Sequence, residues 1–442
     1  MSIKDAVIQA IEMHKAGDFD RALKIYDEIL SLKIYDPYLC HAMGTLFLDL
    51  NLLGVSTQLL TRSVETSPED APWLAESYVN LGVALRNSAH EMEAAACYRR
   101  ALEIDPGNTA TWANFSGCYI NYGQPEKAIQ YADKAIEIDP KNPFARHHRA
   151  LALMEMGKYD AGFRAYEARL NLPEFHNRGF DGKRWLGGKV SGTLVIHGEQ
   201  GLGDEVMFCS LIPKAKALCD RLVIECNEKL VTLFERSFGV KCYATPDEIK
   251  ANEKVDHWCP MGSLPYVFRV RSPQEHSGYL KTDPELDAKY QKKEKFRVGV
   301  TWRGGTKKTH NQLRDFSIKV WKDFVRPEWV SLQYGRVKHE IEFLGLQDSG
   351  WEGNMDEFAS LVKSCDLIIT VCNTTVHFAG ALNVPCWVMV PSKPAWRYGL
   401  TGKRMLFYPS ITMYRQSDGE DWKEVLKRIT NDYESLTQLK AA

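Results

Sequence analysis

Apolar and polar positions in the first third of the chain repeat with a period of about 34 residues. Ala-Leu-Glu-Ile-Asp-Pro ends at Pro106 and Ala-Ile-Glu-Ile-Asp-Pro ends at Pro140, while glycine recurs at Gly123 and Gly157. Each period holds an apolar pattern of helical spacing, a turn of small residues, and a second helical pattern that ends at Asp-Pro. Helix pairs of this kind bury their apolar faces only against neighbouring pairs, so the pattern predicts a helical solenoid with a concave groove.

These segments resemble the tetratricopeptide repeat (TPR), a helix pair of the same period. Two repeats are clear between about 72 and 140, and the flanking repeats at about 2–70 and 141–170 are degenerate. The groove is expected to bind a partner protein. Polar residues that could line it, or could simply be solvated, are Tyr78, Asn80, Asn114, Asn121 and Arg146.

The spacing of apolar residues changes after a segment at 171–190 that is interrupted by proline and glycine. Thr193–His197 and Arg221–Cys226 are predicted to be buried strands, and Met207–Leu218 and Leu230–Phe238 are predicted to be helices. Strands that alternate with helices predict a parallel sheet.

A second α/β pattern follows a charged stretch at 284–295. Its predicted strands are Phe296–Trp302, Trp329–Leu332, Leu367–Val371 and Cys386–Val390. The expected fold is an α-helical TPR solenoid followed by two α/β domains with a cleft between them. The expected divisions are helical repeats at 1–170, a linker at 171–190, a short α/β domain with a reduced sheet at 191–283, a linker at 284–295, and a second α/β domain at 296–442.

Composition narrows the classes of function. The net charge is −1, with 44% hydrophobic and 26% charged residues, which gives no general electrostatic reason to bind nucleic acid or anionic membranes. The chain shows neither a signal-peptide core nor an apolar run of about 20 residues, so a cytoplasmic protein without a membrane span is expected. The 11 cysteines form no CxxC pair and no zinc-like spacing, so reduced thiols and no bound metal are expected.

The first segment with candidate chemistry is His-Gly-Glu-Gln-Gly-Leu-Gly-Asp-Glu, between the first predicted strand and its helix. Gly201 and Gly203 form the loop, and Asp204 and Glu205 open the helix. A helix N-terminus attracts anions, but here acids already occupy it. We therefore interpret Asp204 as a catalytic carboxylate, with Glu205 and Glu199 as lesser candidates. The alternative for Asp204 is an acid that only stabilises the helix dipole.

A nicotinamide-binding enzyme is a less favoured alternative for this segment. Glu225 ends the next predicted strand, where a dinucleotide-binding fold places the acid that binds ribose. However, the glycines are spaced G-x-x-G-x-G rather than G-x-G-x-x-G, and Asp204 would crowd the pyrophosphate.

The basic loop after Phe296–Trp302 is a candidate diphosphate site. Arg303, Gly304, Lys307 and Arg314 could bind the phosphates through charge-assisted hydrogen bonds. The alternative is a solvated basic loop.

A polar loop after Leu367–Val371 is the second candidate phosphate site. Asn373, Thr374 and Thr375 can cap the next helix and leave its N–H groups facing an anion, with His377 one turn further on. The alternative is a plain cap with His377 in the core. After the following strand, Trp396 could stack on a nucleobase or could pack internally.

Five segments together resemble the bacterial heptosyltransferase-like (family 9) glycosyltransferases, in the branch with N-terminal tetratricopeptide repeats. They are GEQGLGDE at 198–205, WRGG at 302–305, SLQYG at 331–335, SCDLIITVCNTTVHFAGALNVPCWVMVP at 364–391, and WR-G at 396–399. The resemblance covers about 190–430 and implies a GT-B fold, in which two Rossmann-like domains face a cleft. It also implies inverting, metal-independent sugar transfer. It implies no cofactor: the nucleotide sugar is a substrate, held by the second α/β domain.

The resemblance also implies roles for individual residues. The Gly-Asp of the family falls on Asp204 as the base, and its donor-phosphate loop falls on Asn373, Thr374, Thr375 and His377. The SLQYG segment adds Gln333 to the donor side. Cys372-Asn373 stands where the lipopolysaccharide enzymes usually have Asp-Thr, so the donor sugar is left open.

The short first α/β domain leaves acceptor recognition to the repeats, which points to a peptide, a protein, a glycan or, with less support, DNA. The leading hypothesis is thus a glycosyltransferase with a protein-interaction array. The alternative is a non-catalytic TPR adaptor whose glycosyltransferase domain is degenerate.

Overall fold

The computed structural model of the chain describes residues 3–31, 36–271, 278–291, 296–305, 313–335 and 337–441. Two compact units, Met1–Ala152 and Leu153–Ala442, make up the chain. Within the described ranges, every helix is too short or too polar to cross a membrane.

Helices follow one another through the first unit and into the start of the second. They are α1 (Ile3–Lys15), α2 (Phe19–Ser31), α3 (Pro37–Asp49), α4 (Leu53–Thr66), α5 (Leu74–Asn87), α6 (Glu91–Ile104), α7 (Thr109–Asn121), α8 (Pro125–Ile138), α9 (Pro143–Glu155) and α10 (Tyr159–Tyr166).

The turn inside each helix pair contains one residue with positive φ. These residues are Gly17, Asn51, Ala89, Gly123 and Gly157, with φ between 57° and 81°. Their spacing matches the repeat length, except that the step from Asn51 to Ala89 is slightly longer than the others. Only glycine adopts this conformation without steric cost, and asparagine tolerates it better than alanine does. The repeat therefore extends into the segments that the sequence analysis describes as degenerate.

Small residues let the two helices of a pair approach closely. A β-carbon on Gly44 in α3 would lie 2.6 Å from Leu60 Cγ, and one on Gly82 in α5 would lie 2.6 Å from Tyr98 Cε1. Ser116 holds the same position in α7 and is fully buried. A larger side chain at these positions would force the helices apart.

Side-chain caps mark the starts of α3, α7 and α9. Asp36 accepts hydrogen bonds from the first turn of α3. Asn108 Oδ1 accepts from Thr111 N at 2.9 Å, and Asn142 Oδ1 accepts from Ala145 N at 3.0 Å. The recurrence of asparagine in successive repeats thus has a local cause, the unpaired N–H groups of a helix start.

The first sheet of the second unit has five parallel strands in the order β1-β5-β2-β3-β4. The strands are β1 (Lys183–Arg184), β2 (Val190–His197), β3 (Cys219–Glu225), β4 (Lys241–Tyr243) and β5 (His257–Pro260). The accompanying helices are α11 (Leu202–Phe208), α12 (Ile212–Lys216), α13 (Val231–Phe238), α14 (Pro246–Asn252), α15 (Leu264–Val267) and α16 (Pro284–Lys289).

The second sheet also has five parallel strands, in the order β10-β9-β8-β6-β7. The strands are β6 (Val298–Thr301), β7 (Val330–Ser331), β8 (Leu367–Val371), β9 (Cys386–Val390) and β10 (Ile411–Arg415). The helices are α17 (Ile318–Lys322), α18 (Lys338–Leu344), α19 (Met355–Lys363), α20 (Thr374–Ala381) and α21 (Trp422–Ala441).

The expectation of an α/β fold with parallel sheets is confirmed, but the expectation of a reduced first sheet is wrong. The first sheet gains β1 from the predicted linker, and β4 and β5 from segments without a predicted strand. β1 has two residues and β4 has three. Strands this short show no period-2 alternation, so the sequence pattern does not reveal them.

The predicted helix Met207–Leu218 is interrupted. α11 ends at Phe208, a short 3₁₀ segment follows, and α12 begins at Ile212 with Pro213 in its first turn. Proline has no N–H to donate to the preceding turn, so it fits the start of a helix rather than its middle.

The helix α10 lies in the second unit, whereas the sequence analysis places it in the repeats that end at residue 170. The Phe163 ring lies 6.0 Å from that of Trp396, and the Tyr159 ring lies 6.4 Å from that of Phe407. These aromatic contacts bind α10 to the segment that follows β9.

Candidate functional site

The first turns of α11 and α20 lie against each other. α11 follows β2, and α20 follows β8. A β-carbon on Gly203 would lie 3.0 Å from His377 Cδ2 and 3.5 Å from Thr374 Oγ1. Glycine at 203 therefore permits the close approach, and the two loops that the sequence analysis singles out are neighbours in space.

Asp204 forms an ion pair across this junction. Arg397, in the segment after β9, donates from Nη2 to Asp204 Oδ1, and both side chains are 21% exposed. Arg397 Nε is buried and has no hydrogen-bond partner in the described part of the chain. Arg397 is a site residue that was not predicted from the sequence, although its charge and its position after a predicted strand were available signals.

Glu205 points away from Asp204, toward the ends of β2 and β3. Its Oε2 accepts from Asn227 N at 2.9 Å. A β-carbon on Gly198 would lie 2.8 Å from the Glu205 carboxyl carbon. Burial raises the pKa of Glu205 to about 7, and the Asn227 N–H opposes the shift. The two adjacent acids therefore have different surroundings.

Glu199 is held by a buried guanidinium. Arg169 donates from Nη2 to Oε1 at 2.6 Å and from Nε to Oε2 at 3.0 Å. Gly262 N also donates to Oε1, at 2.8 Å. The two side chains are 4% and 5% exposed. This arrangement anchors the start of the glycine loop and leaves Glu199 poorly placed to accept a proton from a substrate.

Glu225 is bound by a second arginine, Arg178, through its Nε alone. Arg178 Nε lies 2.8 Å from Glu225 Oε2, and its Nη2 donates to Gly198 O at 2.7 Å. The carboxylate that the nicotinamide alternative assigns to a ribose is thus already engaged by the protein. Arg169 and Arg178 were both missed as parts of the site.

Asn373 organises the start of α20. Its Oδ1 accepts from Thr375 N at 2.9 Å, so it caps the helix. Its Nδ2 donates to Thr301 Oγ1 at 2.9 Å and to Arg303 O at 3.2 Å. A β-carbon on Gly304 would lie 2.4 Å from Asn373 Cβ. The loops after β6 and β8 are therefore locked together, with the first N–H groups of α20 at their junction.

Gln333 holds the backbone of the basic loop. Its Oε1 accepts from Trp302 N at 3.0 Å and from Arg303 N at 3.1 Å, while its Nε2 is buried and lacks a partner among the described residues. The Arg303 side chain is 43% exposed and pairs with Glu340 at 2.5 Å.

The remaining candidates occupy several places. Arg314 Nε donates to Gly304 O at 3.2 Å, which places it in the same loop cluster. Gly201 is the N-cap residue of α11. Thr374 is half-buried in the first turn of α20. Lys307 lies outside the described residues.

His377 and Trp396 are both buried. His377 Nδ1 lies 3.2 Å from the Tyr408 hydroxyl. Burial, assisted by Arg397, lowers the pKa of His377 to about 3, so the imidazole is neutral at pH 7. The Trp396 ring packs against Phe163 and Phe407, which corresponds to the internal-packing alternative. Its contact with a nucleobase stays a prediction.

Two groove candidates in the repeats form bonds between helices. Asn80 Nδ2 donates to Thr45 Oγ1 at 3.0 Å, and Asn114 Oδ1 accepts from Arg86 at 3.4 Å. Among the described residues, no group of three or more His, Cys, Asp or Glu side chains could hold a metal ion.

Family models of the tetratricopeptide repeat match residues 75–108 and 93–154. These matches cover the clear repeats of the sequence analysis and extend into α9. The first part of the chain is thus a TPR-like helical solenoid, and repeats of this kind indicate a protein-interaction or scaffold role.

A relative that matches nearly the whole chain extends the comparison beyond the repeats. Protein FlbA of Caulobacter vibrioides is 25% identical and covers 96% of this chain and 82% of its own length. The tetratricopeptide repeat-containing protein trd-1 of Caenorhabditis elegans is 24% identical over 37% of this chain and 21% of its own. A crystal structure of MamA is 22% identical over 36% of this chain and 91% of its own, with a TM-score of 0.33.

Proposed function

We propose that the second unit is a GT-B glycosyltransferase that moves a sugar from a nucleotide-sugar donor to an acceptor hydroxyl, with inversion and without a metal. One observation carries the proposal: the first turns of α11 and α20 lie against each other, and only α11 carries an acid. A base and an anion site are the two groups that such a transfer needs, and they have to be adjacent.

Asp204 is the base in this proposal. It removes the proton of the acceptor hydroxyl as that oxygen attacks the anomeric carbon. The bond from this carbon to the diphosphate breaks, and the electron pair leaves with the diphosphate. Arg397 fixes the direction of the Asp204 carboxylate through their ion pair, which makes it a positioning residue.

The donor diphosphate is bound by the first turn of α20 and by the basic loop. Helix N–H groups and the cations Arg303, Lys307 and Arg314 stabilise the negative charge that develops on departure. Two buried donors without partners in the described chain, Arg397 Nε and Gln333 Nε2, support a polar ligand at this place, because such groups normally find an acceptor.

The repeats supply the acceptor in this proposal. Since TPR solenoids bind proteins, a peptide or protein acceptor is favoured, a glycan comes second and DNA last. One observation favours the adaptor alternative: the Asp204 carboxylate is already engaged by the Arg397 guanidinium. The proposed function therefore requires that the acceptor hydroxyl reaches the Asp204 carboxylate while Arg397 stays bound to Oδ1.

A thermal-unfolding screen tests donor binding. The full chain is heated with UDP-, GDP-, ADP-, dTDP- and CMP-sugars, and with NAD. At a donor concentration of about 100 times its Kd, binding adds about 2.7 kcal/mol to the free energy of unfolding and raises Tm by several degrees. Arg303→Ala is expected to reduce the shift, and Arg21→Ala, an exposed arginine of the repeats, is the control.

Each outcome of the screen selects one hypothesis. A shift with one nucleotide sugar that Arg303→Ala diminishes supports the glycosyltransferase. The absence of any shift favours the adaptor. A shift with NAD alone favours the nicotinamide-dependent enzyme.

A further inference from the structure

The first unit contains a cavity of about 580 Å³ between α1, α3 and α5, at the start of α2. We call it the aromatic–acid pocket. It lies among the first helices of three successive repeats. None of its described lining residues belongs to the candidate site in the second unit. The residues that define the pocket here are Phe19, Tyr38, His41, Trp73, Asp49 and Glu76.

Aromatic rings form its walls. The Tyr38 ring centre lies 5.0 Å from that of Trp73, with the planes inclined at 57°. It lies 6.2 Å from that of His41, with the planes only 25° apart. Phe19 and Tyr38 are 37% and 38% exposed, although aromatic side chains usually avoid such exposure. The faces of these rings carry partial negative charge and attract cations.

The His41 ring is held in place by hydrogen bonds on the side away from the cavity. Its Nδ1 lies 2.9 Å from Ser77 Oγ, and Ser77 Oγ lies 3.1 Å from Ser63 Oγ. Both serines are fully buried. Neither hydroxyl is accessible to a substrate, so the cluster is a support and not a nucleophile–base pair.

Two carboxylates stand at the rim of the pocket. Asp49 Oδ2 lies 2.8 Å from His14 Nε2, and Glu76 Oε2 lies 3.7 Å from His41 Nε2. The acid side chains are 54% and 64% exposed. None of the twelve described residues that line the cavity is a lysine or an arginine. The described lining therefore contains two carboxylates and no lysine or arginine to pair with them.

We propose that the aromatic–acid pocket binds an arginine or lysine side chain of a partner polypeptide. The ring faces receive the cation, and Asp49 and Glu76 accept its N–H bonds at the rim. An acidic segment would meet two like charges without compensation, and an apolar one would leave both carboxylates unused. The site is separate from the proposed sugar transfer, so either proposal can fail alone.

Selection from a random heptapeptide library against the full chain tests the proposal. Enriched peptides are synthesised with a fluorescent label, and binding is measured by anisotropy. The pocket variants are the double substitution Asp49→Asn/Glu76→Gln and, as a second test, Tyr38→Leu. Glu126→Gln, an exposed acid in the first turn of α8, is the matched control. Circular dichroism confirms that each variant is folded.

We expect the enriched peptides to contain arginine or lysine, and replacement of that residue by glutamine to weaken binding. The double variant should lose about tenfold in affinity, and Glu126→Gln should lose nothing measurable. Added NaCl should weaken binding to the parent chain more than to the double variant. Failure to enrich any peptide, enrichment of acidic or apolar peptides, or equal affinity of the double variant would each overturn the proposal.

Discussion

Replacing Arg169 by methionine removes the guanidinium that binds Glu199 at the start of the glycine loop. The two side chains are 4% and 5% exposed, and two N–H groups of the arginine contact the carboxylate. After the substitution, Glu199 stays buried and keeps the hydrogen bond from the Gly262 N–H. A buried charge that has lost its partner destabilises a folded protein strongly.

The expected loss is about 3–5 kcal/mol, the usual cost of removing one member of a buried ion pair. For a unit of this size, each kcal/mol lowers Tm by about 2–4 °C, so the expected decrease is about 6–20 °C. Glu103→Gln is the control. It breaks the exposed Arg100–Glu103 pair on α6, and should change stability by less than about 0.5 kcal/mol.

Differential scanning calorimetry of Arg169→Met, Glu199→Met and the double variant measures the coupling. The double variant removes both charges, so it should lose less stability than the sum of the single variants, by at least about 1.5 kcal/mol. Two results would refute the assignment of this pair as a buried anchor. One is a free energy of unfolding for Arg169→Met within about 0.5 kcal/mol of that of the parent chain, and the other is a double variant whose loss equals the sum of the single losses.

Three further outcomes are expected. Gly304→Ala places a β-carbon 2.4 Å from Asn373 Cβ and should lower the free energy of unfolding by about 1–3 kcal/mol. Gly54→Ala in α4 is the control: nothing lies within 4 Å of its β-carbon, so it should raise the free energy of unfolding by up to about 1 kcal/mol. Equal effects of the two substitutions in thermal unfolding would contradict the close approach of Gly304 and Asn373. Because the pKa of Glu205 is raised to about 7, its neutral form stabilises the fold fully below about pH 4.5, and this contribution is lost as the pH rises through 7. Glu205→Gln should therefore match the parent chain at pH 5 and exceed its Tm at pH 8, and an unchanged difference between these pH values would count against the shift. His377, whose pKa is lowered to about 3, should show no imidazole titration by NMR between pH 5 and 8; a midpoint near 6.5 would show that the ring is not buried.

Local signals in the sequence account for much of the repeat region. Gly123 and Gly157 occupy turn positions with positive φ. Because each turn needs such a residue, glycine recurs at the interval of one repeat, and this recurrence is visible in the sequence. The period weakens where Asn51 and Ala89 replace glycine and where the step between these two turns is longer than the others. The geometry continues through these positions because packing of small residues such as Gly44 and Gly82 maintains the pairs.

The candidate site could be predicted only in its local parts. A strand, a glycine loop and an acid at a helix start are contiguous in the sequence, so Asp204 could be predicted, as could the helix cap formed by Asn373. The arginines that contact the acids could not be predicted. Arg397 lies 193 positions from Asp204, and Arg169 lies 30 from Glu199. Such pairs are created by tertiary folding, and a single sequence contains no period or spacing that connects them.

The most direct test of the proposed function is the rate of nucleoside diphosphate release with an acceptor present. The donor identified by thermal unfolding is incubated with a peptide that binds the full chain, and the products are quantified by mass spectrometry. We predict that the parent chain releases the diphosphate and adds one sugar mass to the acceptor, and that Asp204→Asn slows transfer by at least about 100-fold while donor binding is retained. Transfer that is undiminished in Asp204→Asn would contradict the assignment of the base. A donor that binds but is never turned over by the parent chain, with any acceptor, would contradict the glycosyltransferase itself.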